Sequence, residues 1–170
     1  METLKAIEKR RSIRKFTDKP VSKEMIETII KAGILAPSGK NRQPWKFVVV
    51  TEKEKASMID VMEKGIEKER GGNGLLPESS KRFFTADNTL RAMKEAPVTV
   101  FIMNTKKTYI WEDSNFENKV FDIVNIQSIG GCIENMILAA EDIGLGSLWI
   151  CDVFSAYKDL TQWLGEGTQL

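Results

Sequence analysis

The chain has 170 residues, 42% of them apolar and 29% charged, which excludes a disordered chain and matches one ordinary domain with a real hydrophobic core. Its net charge of +1 supplies no global field for nucleic acid or a membrane surface. It contains no histidine and only two cysteines, Cys132 and Cys151, without C-x-x-C spacing, so His-based acid–base chemistry, His-containing metal sites, zinc knuckles and redox dithiols are excluded and difficult chemistry falls to a bound cofactor.

No charged-then-apolar leader opens the sequence, and no apolar run is expected to reach the ~20 residues that span a bilayer, so a cytoplasmic protein without a membrane partner is the expectation. Residues 2–9 read as a short helix with Leu4 and Ile7 on one face. The polar segment Arg10-Arg11-Ser12-Ile13-Arg14-Lys15-Phe16 follows. The next helix has Ser22 as its N-cap, Val21 and Ile26 placed as a staple, and Ile29 and Ile30 on its buried face; Pro37 ends it near Ala36. Trp45–Thr51 has the β-branched density of a buried strand, and Lys53–Arg70 returns to helical spacing. Gly71-Gly72-Asn73-Gly74 is a loop. Asn88–Glu95 reads as a short helix and Val98–Met103 as a second buried strand, followed by a polar loop over 104–117 with Tyr109, Trp111 and Phe116. The longest helical pattern runs from about Lys119 to Ile143 and carries few charges, so it is expected to be central and buried on most sides. Gly144-Leu145-Gly146 closes it, Ser147–Cys151 is expected as a third strand, and a last helix spans about Ala156–Leu164. Two helices precede the first strand and strict βαβ alternation is missing, which favours an α+β sandwich over a doubly wound sheet. Without a repeat, linker or low-complexity stretch, residues 1–170 read as one domain.

Two segments carry the chemistry. Arg10, Arg11, Ser12 and Arg14 fall within five residues of one another. Guanidinium groups pair bidentately with phosphate and a serine hydroxyl adds a short donor, although alone such a cluster also describes a solvated basic patch. In Ala36-Pro37-Ser38-Gly39-Lys40-Asn41-Arg42-Gln43-Pro44-Trp45, two prolines fix φ, a glycine permits close backbone approach, and Ser38, Asn41 and Gln43 can bond a ligand edge. An ordinary helix-to-strand turn is the plainer account of this segment in isolation.

Together, R-R-S-x-R-x-F and A-P-S-x-x-N-x-Q-P-W resemble the FMN-dependent nitroreductase family. Gly144-Leu145-Gly146-Ser147-Leu148-Trp149-Ile150 is similar to that family's G-L-G-S-x-W-I strand, and Ala96-Pro97-Val98 to its strand entry. The resemblance runs from Leu4 to about Leu164. It implies an α/β/α sandwich with a mixed, mostly antiparallel central sheet, assembled as a homodimer with FMN held non-covalently at the subunit interface. By the same resemblance, Arg10, Arg11 and Ser12 hold the phosphate and ribityl chain, and Arg14 lies near flavin N1 and O2. Pro37, Ser38, Gly39 and Asn41 approach from the partner subunit, and Gln127 and Ser128 line the ring region. Trp149 and Ile150 run beside the isoalloxazine, a backbone N–H near Cys151 faces N5, and Asn88 touches the ring edge. The implied activity is an oxidoreductase passing hydride from NAD(P)H through flavin N5 to a nitroaromatic, quinone or similar electron-poor small molecule, with no catalytic side chain and no metal. Reductive dehalogenation, enone or azo reduction on the same cradle, a flavin-binding sensor without turnover, and a binding module for an acidic partner stay open.

Relatives continue with a further strand and a basic tail, whereas this chain stops at Gly167-Thr168-Gln169-Leu170. Either the chain is truncated there or FMN affinity rests more heavily on Arg10 and Arg11. Gly144-x-Gly146 is not a dinucleotide fingerprint, since it follows a helix and precedes a strand. The Gly71–Gly74 loop lacks the lysine and hydroxyl of a P-loop. Glu112/Asp113 and Glu141/Asp142 read as solvated charge, and Cys151 is expected as a small buried apolar side chain ahead of a reactive thiol.

Overall fold

A computed structural model describes residues 2–72, 84–106, 115–151 and 153–165. Asn73, Gly74, Tyr109, Trp111, Glu112, Asp113 and the chain end Gly167–Leu170 lie outside the described residues. Helix α1 spans Thr3–Lys9 and α2 spans Lys23–Ile34. The Ser22 hydroxyl accepts the Met25 N–H at 3.3 Å, as the cap reading required, and α2 stops two residues short of Ala36. A 3₁₀ turn, Gly39–Asn41, leads to strand β1, Trp45–Val50, and then to α3, Glu52–Arg70. Helix α4 covers Phe84–Glu95, starting a turn earlier than the apolar spacing indicated, with Asp87 favourably placed in its first turn. Strand β2 is Thr99–Asn104, α5 is Phe116–Asp142, and a 3₁₀ turn at Phe154–Ala156 precedes α6, Tyr157–Leu164.

The strands pair antiparallel, from Trp45 opposite Asn104 to Val50 opposite Thr99. Alternation then sends successive side chains to opposite faces. Trp45, Phe47, Val100 and Ile102 meet Ile29 and Ile30 of α2 and Cys132 and Met136 of α5. Val48, Val50, Phe101 and Met103 face the larger core, where Met58, Met62 and Ile66 of α3, Met93 of α4 and Leu160 of α6 are buried. The result is an α/β/α arrangement around an antiparallel pair.

Two expectations are corrected. Ser147–Cys151 is not a ladder-forming strand: the described chain makes one isolated parallel bridge there, Ser12 to Ser147. Only Ile150 in that stretch is β-branched, which leaves little local preference to propagate pairing. Nor is α5 buried on most sides. Its buried row is Asn125, Ser128, Cys132, Met136 and Ala140, while Phe116, Val120, Ile123 and Ile126 are exposed. Moreover, α5 is long and apolar enough to cross a membrane by length and composition, with mean hydropathy 1.3 over 18 residues. In this fold it packs against α1, α2, the Gly39 turn and β2.

Met62 is fully buried. Met62→Ala should lower the unfolding free energy by about 2–5 kcal/mol in urea at fixed protein concentration, whereas Lys53→Ala at an exposed position should change it by less than about 0.5 kcal/mol. The two thiols should differ as sharply. Cys151 is exposed, against the expectation that it is buried, whereas burial pushes the Cys132 thiol up to about 11. At pH 8 only about one Cys132 in a thousand would be thiolate even before access is considered. Iodoacetamide is therefore expected to modify Cys151 in the native protein and Cys132 only after unfolding, as peptide mapping would record.

Candidate functional site

The basic segment begins where α1 ends. Arg10 caps that helix, its N–H bonded to Ala6 O at 2.9 Å, and the chain then runs extended. Backbone pairing of Ser12 with Ser147, including Ile13 N–H to Ser147 O at 2.9 Å, ties this segment alongside residues 146–150. The turn that delivers those residues is a Schellman motif: Leu145 N–H reaches Ala140 O at 2.8 Å, Gly144 N–H reaches Glu141 O at 3.1 Å, and Gly144 takes φ +79°. Ile13 then seats against Gly146, where an added Cβ would lie 3.0 Å from its side chain.

The guanidinium groups are placed without acidic partners. Arg11 Nη1 donates to Glu8 O and Arg10 O at 2.6 and 2.8 Å, and Arg14 Nη1 donates to Ser12 O at 3.2 Å. Among the described residues no carboxylate pairs with Arg10, Arg11 or Arg14. Three cations uncompensated among the described residues, with a hydroxyl beside a paired backbone edge, form a donor set that fits a phosphate ester.

The second segment docks on the middle of α5. Gly39 N–H donates to Ser128 Oγ at 3.1 Å, and Gln43 N–H donates to Ser38 Oγ at 3.0 Å. Lys40, Asn41 and Gln43 all have positive φ, at 53°, 53° and 44°. Such conformations cost about 1–3 kcal/mol each in non-glycine residues and persist where surrounding contacts over-determine them. Pro44, buried at the exit, has its carbonyl bonded by Thr105 N–H at 2.8 Å. Pro37 and Asn41 stay exposed, and Ser38 and Gly39 are half-buried.

Helix α5 links the two segments. Trp149, 42% exposed, lies against Gly130, whose hypothetical Cβ would sit 3.8 Å from Trp149 Cη2. Gly130 shares a face with Gln127 one turn earlier. Gln127 is exposed, Ser128 buried, Ile150 packs on the larger core, and Cys151 is exposed. Asn88 stands apart on α4, exposed, with Oδ1 bonded by Arg91 Nη2 at 2.9 Å. Sequence reasoning passed over Phe121 and Val124. Phe121 carries the Lys40 and Arg42 cations above its ring, at 5.5 and 4.4 Å, and Val124 meets Gly39 directly. Their spacing of seven and four residues from Ser128 was the available signal.

The nitroreductase family model matches residues 7–166. A relative from Archaeoglobus fulgidus, provisionally named NADH dehydrogenase/NAD(P)H nitroreductase, is 33% identical over 149 residues, 88% of this chain and 67% of its own length. The chain spans about two thirds or less of the length of the curated relatives it matches. A BluB-like flavoprotein from Clostridium difficile 630 superposes with a TM-score of 0.78 at 32% identity, covering 100% of this chain and 86% of that one. A nitroreductase with bound FMN from Desulfitobacterium hafniense DCB-2 does so with a TM-score of 0.71 at 25% identity, covering 99% and 84%. With the family model covering nearly its full length and the same fold in both solved structures, this chain belongs to the nitroreductase family.

Proposed function

We propose that this chain forms a homodimeric flavoenzyme that holds FMN non-covalently and uses NAD(P)H to reduce a small electron-poor molecule, such as a nitroaromatic or quinone. The observation that carries the reading is the parallel pairing of Ser12 with Ser147. It brings the Arg10–Arg14 segment, whose guanidinium groups have no acidic partners among the described residues, alongside the chain that leads into Trp149–Cys151, which supports joining phosphate-binding chemistry to a partly apolar wall. When bound, FMN supplies a carrier that takes hydride from a nicotinamide and yields it to an acceptor.

The protein's residues then bind and orient. Arg10, Arg11 and Ser12 grip the phosphate and ribityl chain, while Arg14 places a cation at the pyrimidine edge, where negative charge develops on reduction. Trp149, Ile150 and the Cys151 backbone wall the ring, with Gln127 at its margin, while Ser128, buried with its hydroxyl bonded by the Gly39 N–H, acts on the loop rather than on the ring. The Pro37–Asn41 loop of the second copy closes the site. A shared site requires a dimer, and α5 offers the surface for one. Phe116, Ile123 and Ile126 are 82%, 55% and 64% exposed along the face opposite the buried row. Leu4 and Ile7 of α1, which packs on the same helix, are exposed as well. Exposed apolar surface of this kind marks an association site.

The purified protein should be yellow and should bleach anaerobically with NADH or NADPH; a colourless protein that FMN does not reconstitute defeats the reading. Roles within the arginine cluster separate by ligand. A hydrogen bond to a charged group contributes about 1.5–3 kcal/mol, so Arg10→Ala should weaken FMN about 10- to 150-fold while leaving riboflavin, which lacks the phosphate, nearly unchanged. Arg14→Ala should weaken both. Fluorescence titration of the apoprotein distinguishes the two patterns. The double variant Ile123→Glu/Ile126→Glu should sediment as a monomer and lose FMN together with the dimer; a dimer that persists and stays yellow excludes this face as the interface.

A further inference from the structure

Ser128 is buried in the middle of α5, and its hydroxyl is used twice. Oγ donates to the Val124 carbonyl one turn back, at 2.7 Å, and accepts the Gly39 N–H at 3.1 Å. A hydroxyl has a single proton, so the donor is committed to the helix and a lone pair faces the loop. Gly39 lies so near the helix that a Cβ there would overlap Val124 Cγ1. Valine in a helix has one strongly preferred rotamer and does not swing aside readily. Beyond this contact, Lys40 and Arg42 sit over the Phe121 ring, and Ser38 Oγ receives Gln43 N–H. These contacts enclose the three left-handed residues Lys40, Asn41 and Gln43.

The geometry points to Ser128 as a positioning residue, a latch that holds the Ser38–Gln43 loop in its strained shape against α5 and thereby sets how that loop meets the flavin. This differs from the ring contact that family resemblance implies for the same residue, and it rests on the FMN reading above. Releasing the latch lets Lys40, Asn41 and Gln43 relax towards ordinary backbone angles, so the loop no longer presents Ser38 and Asn41 in one fixed geometry. Two independent changes release it. Ser128→Ala removes the acceptor, and Gly39→Ala pushes the loop off Val124.

The test measures FMN dissociation constants of the dimeric apoprotein by fluorescence, with thermal melts of the same samples. Each single variant should weaken FMN by about tenfold, the loss of one preorganising hydrogen bond. The double variant Ser128→Ala/Gly39→Ala should be no weaker than either single change, because both free the same loop. Val124→Ala makes room for the new methyl, so Gly39→Ala/Val124→Ala should return to within about threefold of wild type, while Val124→Ala leaves Ser128→Ala unrescued. The latch is overturned if Ser128→Ala binds FMN normally, or if its only effect is a lower melting temperature. It is overturned equally if the two single losses multiply, which is the signature of Ser128 touching the cofactor directly. Wild-type protein that takes up no FMN sinks the flavin reading and the latch together; wild type that binds alongside variants that bind equally well sinks the latch alone.

Discussion

Helix α5 carries two apolar faces, and a single chain covers only one of them. The row Asn125, Ser128, Cys132, Met136 and Ala140 packs inward along the later part of the helix, while Phe116, Val120, Ile123 and Ile126 face outward along its first part. Most of what matters in the fold is referred to this helix. α2 lies along it, α1 touches it, the Gly39 turn is bonded to it, and Trp149 rests on Gly130. Burial of apolar surface contributes roughly 25 cal/mol per Å², so leaving a row of isoleucine, valine and phenylalanine in water is unfavourable unless a second surface covers it. In the proposed dimer, a second copy of the chain would cover it and would bring one Ser38–Asn41 loop near the other copy's arginines. Assembly and ligand binding then share one structural cause.

Legibility in the sequence followed locality. The Ser22 cap, the β-branched run of β1 and the second strand depend on neighbours a few residues away; the cap formed as read and the strands within a residue of their expected bounds, at Trp45–Val50 and Thr99–Asn104. Ser147–Cys151 depends on a partner near the other end of the chain, and only one bridge to Ser12 results. Composition misled for α5, because a helix apolar on two faces has the same residue content whether both are buried or one awaits a partner. The start of α4 at Phe84 rather than Asn88 went unread because its first turn, Phe84-Thr85-Ala86-Asp87, mixes apolar and polar residues too evenly to stand out as a stripe. In the candidate site, the guanidinium cluster and the Pro37–Pro44 segment were legible as donor chemistry. The residues that support them, Phe121 and Val124, look like ordinary apolar helix positions until the loop is seen resting on them.

Backbone strain in that loop was equally hidden. Glycine is the usual occupant of left-handed backbone, yet the residues there are Lys40, Asn41 and Gln43, whereas Gly39 is needed for its missing Cβ. Asparagine tolerates this region; lysine and glutamine do so poorly. The loop therefore has an intrinsic preference for some other shape, and its observed shape comes from contacts with α5. A site built in this way is positioned by helix packing and not by local propensity, which suits a chain without histidine: geometry and fixed charge, not proton transfer by imidazole, are what it offers a ligand.

The near-zero net charge conceals a sorted distribution. On the face built from α3, α4 and α6 the cations are matched: Lys64 with Asp60, Lys68 with Asp159, Arg70 with Asp87 and Lys94 with Glu63. Exposed pairs of this type contribute little to stability, about 0–1 kcal/mol each, but they neutralise that surface. Arg10, Arg11 and Arg14 have no such partners among the described residues, and two of them are directed at backbone carbonyls within their own segment. Among the described residues an arriving phosphate consequently has no ion pair to break, and the carbonyls that hold the Arg11 and Arg14 guanidinium groups limit the side-chain entropy lost on binding. Had the same arginines been interleaved with glutamates, the composition and net charge could have been identical and the anion affinity much lower. The functional signal is thus that no carboxylate among the described residues pairs with these three arginines, even with Glu95 accepting the Phe16 N–H nearby at 3.3 Å, a property of placement to which net charge is blind.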